Sequence, residues 1–450
     1  MENINDSSGG QEKKELIFST KSSFSYFDGE GEIISKGEAK LELFEDSLSI
    51  FPERDVAILI PLRELVNFDF KDYRVYFNLI SKEKIEIFDL GYKYEDFIRI
   101  FTRVYNELVM KDMLMKESLR KSGVDAEFCV YDENGNEIQK GNCELRLYDT
   151  ALIILPEKGE LRRIIYSDMA EIKDNDYKIE IISEYGEKII FSQLGNKFDS
   201  FLKSIFQIIN ELSLKVQESI KILIPNANTS ILRKVAQTMK EGKAAKRQDI
   251  EKISPDLWLE LEKKIKDSEI KEEYNFLKSI AKQEKIAVGL KRDLLGDLTG
   301  EYIWFLIPIY GINSDKYGNA VAMEAITGEE GAKATYFFRI TGRQEYKRIK
   351  SESEFDFLID DFLKKINRAM LAINFRREPI YLSDEKLKEP QYEKYQHAMA
   401  KIPALIELRK LFIGRVIHSS FEQWKKDTED LLLFNIKSKD DDEKWTKKTN

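Results

Sequence analysis

The chain has 450 residues, 42% hydrophobic and 11% aromatic, enough apolar material for well-filled interiors and too much length for a single core. That composition excludes a disordered protein and points to about three domains. A formal net charge of −9 argues against a dedicated nucleic-acid binder, whose affinity rests on Lys and Arg neutralising phosphates.

Residues 1–14 are polar and charged and read as a disordered tail, without the apolar stretch of a signal peptide. A strand near 22–27 then leads through the turn Asp28-Gly29-Glu30-Gly31 into a longer strand over 33–44. There Ala39, Leu41 and Leu43 alternate with Lys40 and Glu42, the period of a strand with one buried face. Further strands are expected near 47–51, 56–60, 64–70, 73–80 and 84–90. After Gly91 the period changes. Phe97, Phe101, Val104 and Leu108 form the apolar stripe of an amphipathic helix.

The whole pattern then repeats. Residues 24–108 align with 128–212 at a constant offset of 104, without a gap. Phe24, Asp28, Gly31, Ile34, Lys36, Gly37, Leu41, Ile50 and Pro52 recur as Phe128, Asp132, Gly135, Ile138, Lys140, Gly141, Leu145, Ile154 and Pro156. Asp72-Tyr73 and Asn106-Glu107-Leu108 recur as Asp176-Tyr177 and Asn210-Glu211-Leu212. One unit of about seven strands closed by a helix is thus predicted twice, each copy spanning roughly 100 residues. The helix is placed over the open end of a bent antiparallel sheet, because its stripe and the apolar strand face need each other.

This order resembles the pleckstrin-homology (PH)-like superfamily, a bent seven-stranded sheet capped by a C-terminal helix. The resemblance covers about residues 15–220. The tryptophan common in that capping helix is replaced here by Phe97 and Phe101, or by Phe201 and Ile205.

Residues 225–285 change character and predict a small helical module. Asn228-Thr229-Ser230 offers an N-cap, and Ser254-Pro255-Asp256 is a second helix start. Strands return from 286, followed by a helix near 353–375 that echoes the capping helices, so a third, shortened PH-like unit is one reading of this part. Two more helices are expected near 389–413 and 415–434. The fold expectation is α+β and multidomain: a tail (1–14), PH-like units at 15–121 and 122–224, a helical module (225–285), a C-terminal α+β domain (286–436) and a second disordered tail (437–450).

Site chemistry is sparse. His397 and His418 are the two histidines, 21 residues apart with no cysteine nearby, and read as surface or packing residues. Cys129 and Cys143 stand where the first copy has Ser25 and Ala39, so one copy folds without thiols, and a reducing cytosol fits better than a disulfide. Gly29 and Gly31 lie in a hairpin turn, not at a helix start, and Gly242-Lys243 lacks the remainder of a phosphate loop. No catalytic residue, metal ligand or cofactor is expected.

The densest basic stretch, Lys240 to Arg247, nominates Lys243, Lys246 and Arg247 as phosphate or partner contacts, with Trp258 downstream. Residues 343–350 (RQEYKRIK) have similar standing. Lys36 and Lys140 follow the first hairpin of each copy and are nominated as single phosphate contacts. The turns themselves, DGEGE and DENGNE, are acidic and speak against phosphoinositide headgroups.

The resemblance implies a cytoplasmic, non-enzymatic interaction or scaffold protein that presents tandem PH-like surfaces to a protein partner, and self-association is compatible with it. The alternative is recruitment to anionic membrane or nucleic acid through 240–248 and 343–350. A third reading is an enzyme in the C-terminal domain, with a pocket drawing on Tyr302, Tyr310, Tyr317 and Tyr336.

Overall fold

The computed structural model describes residues 15–114, 117–292, 301–309, 318–326, 334–392, 394–395, 399, 402–438, 440 and 442–446. Tyr310, Tyr317 and His397 lie outside the described residues, as do residues 1–14 and 447–450. The architecture mixes helices with three antiparallel sheets.

The first sheet holds β1 (Phe18–Phe27), β2 (Ile33–Leu43), β3 (Ser47–Pro52), β4 (Ile58–Pro61), β5 (Leu65–Lys71), β6 (Arg74–Leu79) and β7 (Lys84–Phe88). Its order is β4-β3-β2-β1-β7-β6-β5, and it curls into a half-barrel. Pairing of β1 with both β2 and β7 brings the two ends of the unit together. The turn into β2 is held by Asp28, whose Oδ1 accepts the amides of Glu30 and Glu32, each at 2.9 Å. Helix α1 (Tyr94–Leu114) follows, and Phe97 and Phe101 are fully buried with Phe24, Leu41, Ile50, Val75 and Ile87. The ring of Phe101 meets Phe77 at 4.9 Å and Phe68 at 5.1 Å, so the helix stripe and the strand faces form one interior.

The second sheet repeats the first. Its strands are β8 (Leu119–Tyr131), β9 (Glu137–Tyr148), β10 (Ala151–Pro156), β11 (Arg162–Ile165), β12 (Met169–Asn175), β13 (Lys178–Ser183) and β14 (Lys188–Ser192), in the order β11-β10-β9-β8-β14-β13-β12. Strands β3 to β7 and β10 to β14 begin and end at positions 104 apart. Backbone strain is copied as well. Asp72 and Tyr73 take φ of 52° and 59° in their two-residue hairpin, and Asp176 and Tyr177 take 48° and 58°. Helix α2 (Phe198–Leu223) closes this unit with Phe201 and Ile205 fully buried.

The third sheet is different. Strands β15 (Ala245–Lys246), β16 (Ala287–Arg292), β17 (Glu301–Ile309), β18 (Ala320–Ile326), β19 (Ala334–Arg339) and β20 (Phe412–Ile417) pair in chain order. Both faces are buried: the strands are near-continuous apolar runs, and successive side chains point to opposite faces. Phe305, Ile307, Ala322 and Phe337 enter one core, and Trp304, Leu306, Val321 and Phe338 enter the other. This meander does not have the order of the two repeats, which corrects the reading of residues 286–436 as a third shortened copy. The helix expected near 415–434 is corrected too, because Phe412–Ile417 is an edge strand and the last helix runs Phe421–Lys437.

Residues of the helical segment and of the third sheet share one interior. Val235, Leu257, Trp258 and Tyr274 cluster with Phe305, Phe337, Ile413 and Trp424. The chain divides into two compact units. One comprises residues up to Asp112 with Gly141–Cys143 and Leu155–Arg162; the other comprises Met113–Lys140, Glu144–Ile154 and the residues from Arg163 onward.

Candidate functional site

The two capping helices carry a second line of residues beside the stripe that faces the sheet. On α1 it runs Glu95, Ile98, Thr102, Asn106, Val109, at spacings of three and four that place all five along one side. From Ile98 to Val109 this side is buried, with Thr102 at 0% and Asn106 at 1% exposure. The Asn106 amide accounts for part of that burial. Its Nδ2 donates to the Gly159 carbonyl at 3.0 Å, and its Oδ1 accepts the Leu161 amide at 2.9 Å. Both bonds go to main chain, so the bent loop around Gly159 is held through its backbone. The Lys158 ammonium meets the Glu95 carboxylate at 2.9 Å. Residues Leu155–Arg162 accordingly belong to the first compact unit. Burial, with the Glu160 carboxylate adding to it, raises the Tyr105 phenol well above its ordinary range.

The same line on α2 runs Asp199, Leu202, Phe206, Asn210, Ser213, and it is open. Phe206 is 42% exposed, Asp199 and Asn210 are exposed, and Leu202 and Ser213 are half-buried. An apolar strip flanked by an acid and a free amide repeats the groups with which α1 holds its loop.

The residues nominated from the sequence are placed differently. Trp258 is fully buried in the core of the second unit, which corrects its reading as a contact residue. Lys243 and Lys240 both pair with Glu184, the latter at 2.9 Å. Burial pulls that carboxyl up, but the two ammonium groups outweigh it and hold it below the ordinary carboxylate range. Lys246 pairs with Asp360 at 3.0 Å, and Arg247 pairs with Glu251 at 2.8 Å while its guanidinium lies over the Trp258 ring. The stretch 240–247 is therefore spent largely on internal ion pairs. In the other basic stretch, Arg343 is buried and donates to the Asn435 carbonyl at 2.7 Å. Lys36 is exposed beside a shallow hollow of 380 Å³ that Arg54 and Asp55 also line, and Lys140 pairs with Glu137 at 2.8 Å on the surface.

His418 sits in a polar network inside the second unit. Its Nε2 lies 2.9 Å from Glu324 Oε2 and 3.1 Å from Thr335 Oγ1, and Thr335 also accepts the Trp424 indole N–H at 3.1 Å. A larger groove of 830 Å³ runs beside edge strand β20, lined by Tyr381, Arg409, Arg415, Lys444 and Trp445 among others. Ile413 lies at the register shift between β19 and β20, and its carbonyl accepts the Trp445 amide at 2.8 Å. The segment expected to be a tail thus carries an ordered contact. Among the described residues no group of three or more His, Cys, Asp or Glu side chains is arranged to hold a metal ion, and no helix is long and apolar enough to cross a membrane.

Sequence reasoning missed the second line on the capping helices, although one signal for it was present. Asn is a poor residue for a helix interior, yet both copies keep it at the same place in Asn106-Glu107-Leu108 and Asn210-Glu211-Leu212.

No family model matches the chain, and no curated protein matches it. Among solved structures it is similar to a chain of the Spt16D Pob3N heterodimer, at 15% identity over 38% of this chain and 85% of that one, with a TM-score of 0.16. A likeness at that score carries no inference about function.

Proposed function

We propose that this chain is a non-enzymatic protein-interaction scaffold whose front half is a tandem pair of PH-like units, and that its partner-binding surface is the outer side of α2. The observation that carries the reading is the pair of equivalent helix faces. On α1 the face takes up a loop through the Asn106 amide; on α2 the equivalent Asn210 and Phe206 face solvent. Recognition of a peptide against a capping helix needs an apolar strip and a main-chain clamp, and α2 offers both. Supporting the PH-like assignment are the common strand order, the pairing of the first strand with the last, and the closing helix in each copy. The electrostatic alternative would require Lys243, Lys246 and Arg247 to leave the carboxylates they now pair with.

The test places a photo-crosslinking phenylalanine analogue at Phe206 in cells that make the chain. A discrete covalent adduct with a polypeptide is expected. Irradiation that yields no protein adduct from this position would remove the reading.

A further inference from the structure

The docking on α1 is a contact between consecutive copies of one unit: the helix of the first repeat grips the segment between the third and fourth strands of the second. Shifted by 104 positions, the gripped segment Leu155–Arg162 corresponds to Phe51–Ile58. Its Lys158 corresponds to Arg54, and the Glu95 that Lys158 meets corresponds to Asp199 on α2. The acid and the amide of the grip are thus both repeated on α2, and the base is repeated on the first unit's loop. Neither Arg54 nor Asp199 has an ion-pair partner among the described residues.

Both sides of this second contact are open and apolar. Val56 is 80% exposed, Leu59 63% and Phe51 41%, facing solvent at one edge of the first sheet. At the equivalent positions the second copy has Glu160, Arg163 and Leu155. Among the described residues, the sheet that follows α2 pairs its strands in chain order and does not repeat the order of the two copies.

Resting on the scaffold reading above, we propose that the occupant of the α2 face is a second copy of this chain, which docks its Phe51–Ile58 segment there head to tail. Arg54 then meets Asp199, Val56 packs on Phe206, and Asn210 serves the loop main chain. Asp55 stands where Gly159 has φ +101°, and it already accepts the Ser35 hydroxyl at 2.5 Å. Apolar packing therefore carries more of this contact than the amide clamp does. A single loop in a single groove is a small interface, so the association is weak, on the order of micromolar to millimolar. It is also heterologous, so one copy uses its loop and its neighbour uses its helix.

The test is the mass of the purified full-length chain in solution, by sedimentation across a concentration series. The unaltered chain is expected to rise above its single-chain mass as concentration increases. Val56→Asp, which disables the loop, and Phe206→Asp, which disables the helix face, alter exposed side chains, and each is expected to stay at single-chain mass. An equimolar mixture of the two is expected to reach twice that mass and stop, because it rebuilds one junction. An unaltered chain that stays at single-chain mass at every concentration overturns the proposal, as do variants that still self-associate or a mixture that does not pair. A crosslink from position 206 to a different polypeptide would also overturn it, while leaving the scaffold reading standing.

Discussion

The two capping helices present the same stripe to their sheets and opposite situations on their other side. Where the copies agree, at Phe24 and Phe128, Leu41 and Leu145, or Ile50 and Ile154, every residue is buried at 1% exposure or less. Two positions where they differ have different surroundings in the two copies. Leu59 is 63% exposed, whereas its counterpart Arg163 is a buried cation paired with Glu117 and donating to the Ala372 carbonyl at 2.9 Å. Ile80 is exposed, whereas Glu184 binds Lys240 and Lys243. The shared Phe, Leu and Ile positions hold the interior, and the divergent pairs at 59/163 and 80/184 decide what each copy is packed against. The second copy is tied by charge into its compact unit, while the first keeps an apolar rim.

The largest expected effect separates Arg163 from Leu59. Arg163→Ala leaves the Glu117 carboxylate buried without its guanidinium and should cost about 3–5 kcal/mol in urea unfolding. Leu59→Arg at the matching position should change stability by no more than about 0.5 kcal/mol. Equal effects at the two sites would show that the copies are packed alike.

Next comes Asp168, which sits where the first copy has the exposed Glu64. Burial pushes its carboxyl up to about 6, against opposition from Arg368, Lys243 and Lys240. Because the folded chain binds this proton more tightly than the unfolded one, its contribution is most favourable below about pH 4 and is lost as pH rises through 6. Asp168→Asn should therefore stabilise the chain at pH 7 by up to about 3 kcal/mol and have little effect at pH 4. A gain that does not depend on pH would contradict this.

Asn106→Ala strips two part-buried main-chain groups of their partner and should cost about 1–2 kcal/mol, with faster amide exchange at Leu161. Asn210→Ala, on the open helix, should cost the single chain about nothing. The smallest effect concerns one backbone position. Lys82 holds φ +71° where the second copy has Gly186 at φ +88°. Lys82→Gly should stabilise by up to about 1 kcal/mol, and Gly186→Lys should destabilise by about 1–2 kcal/mol. Thermal melts of the pair should move in opposite directions.

Much of the fold was legible because a gapless offset of 104 transfers every strand, turn and helix from one copy to the other, down to the left-handed Asp-Tyr hairpins. The stripe Phe97, Phe101, Leu108 was readable for the same reason, since it serves a contact within about 100 residues. The far side of α1 was not readable as a binding face. What it grips lies about 50 residues on, and the grip uses a side-chain amide with main chain, which leaves no apolar period. Trp258 and Arg247 looked like a surface pair because charge density says nothing about which carboxylates fold back onto it. Trp445 looked like part of a tail because its anchor is one carbonyl, on Ile413 at the register shift beside β19.

The most direct measurement is hydrogen exchange by mass spectrometry on the intact chain, dilute and concentrated. Peptides covering 51–58 and 199–213 should slow together as concentration rises, while those covering 95–109 and 155–162, already joined within one chain, stay unchanged. Exchange at 51–58 and 199–213 that is indifferent to concentration would contradict the account.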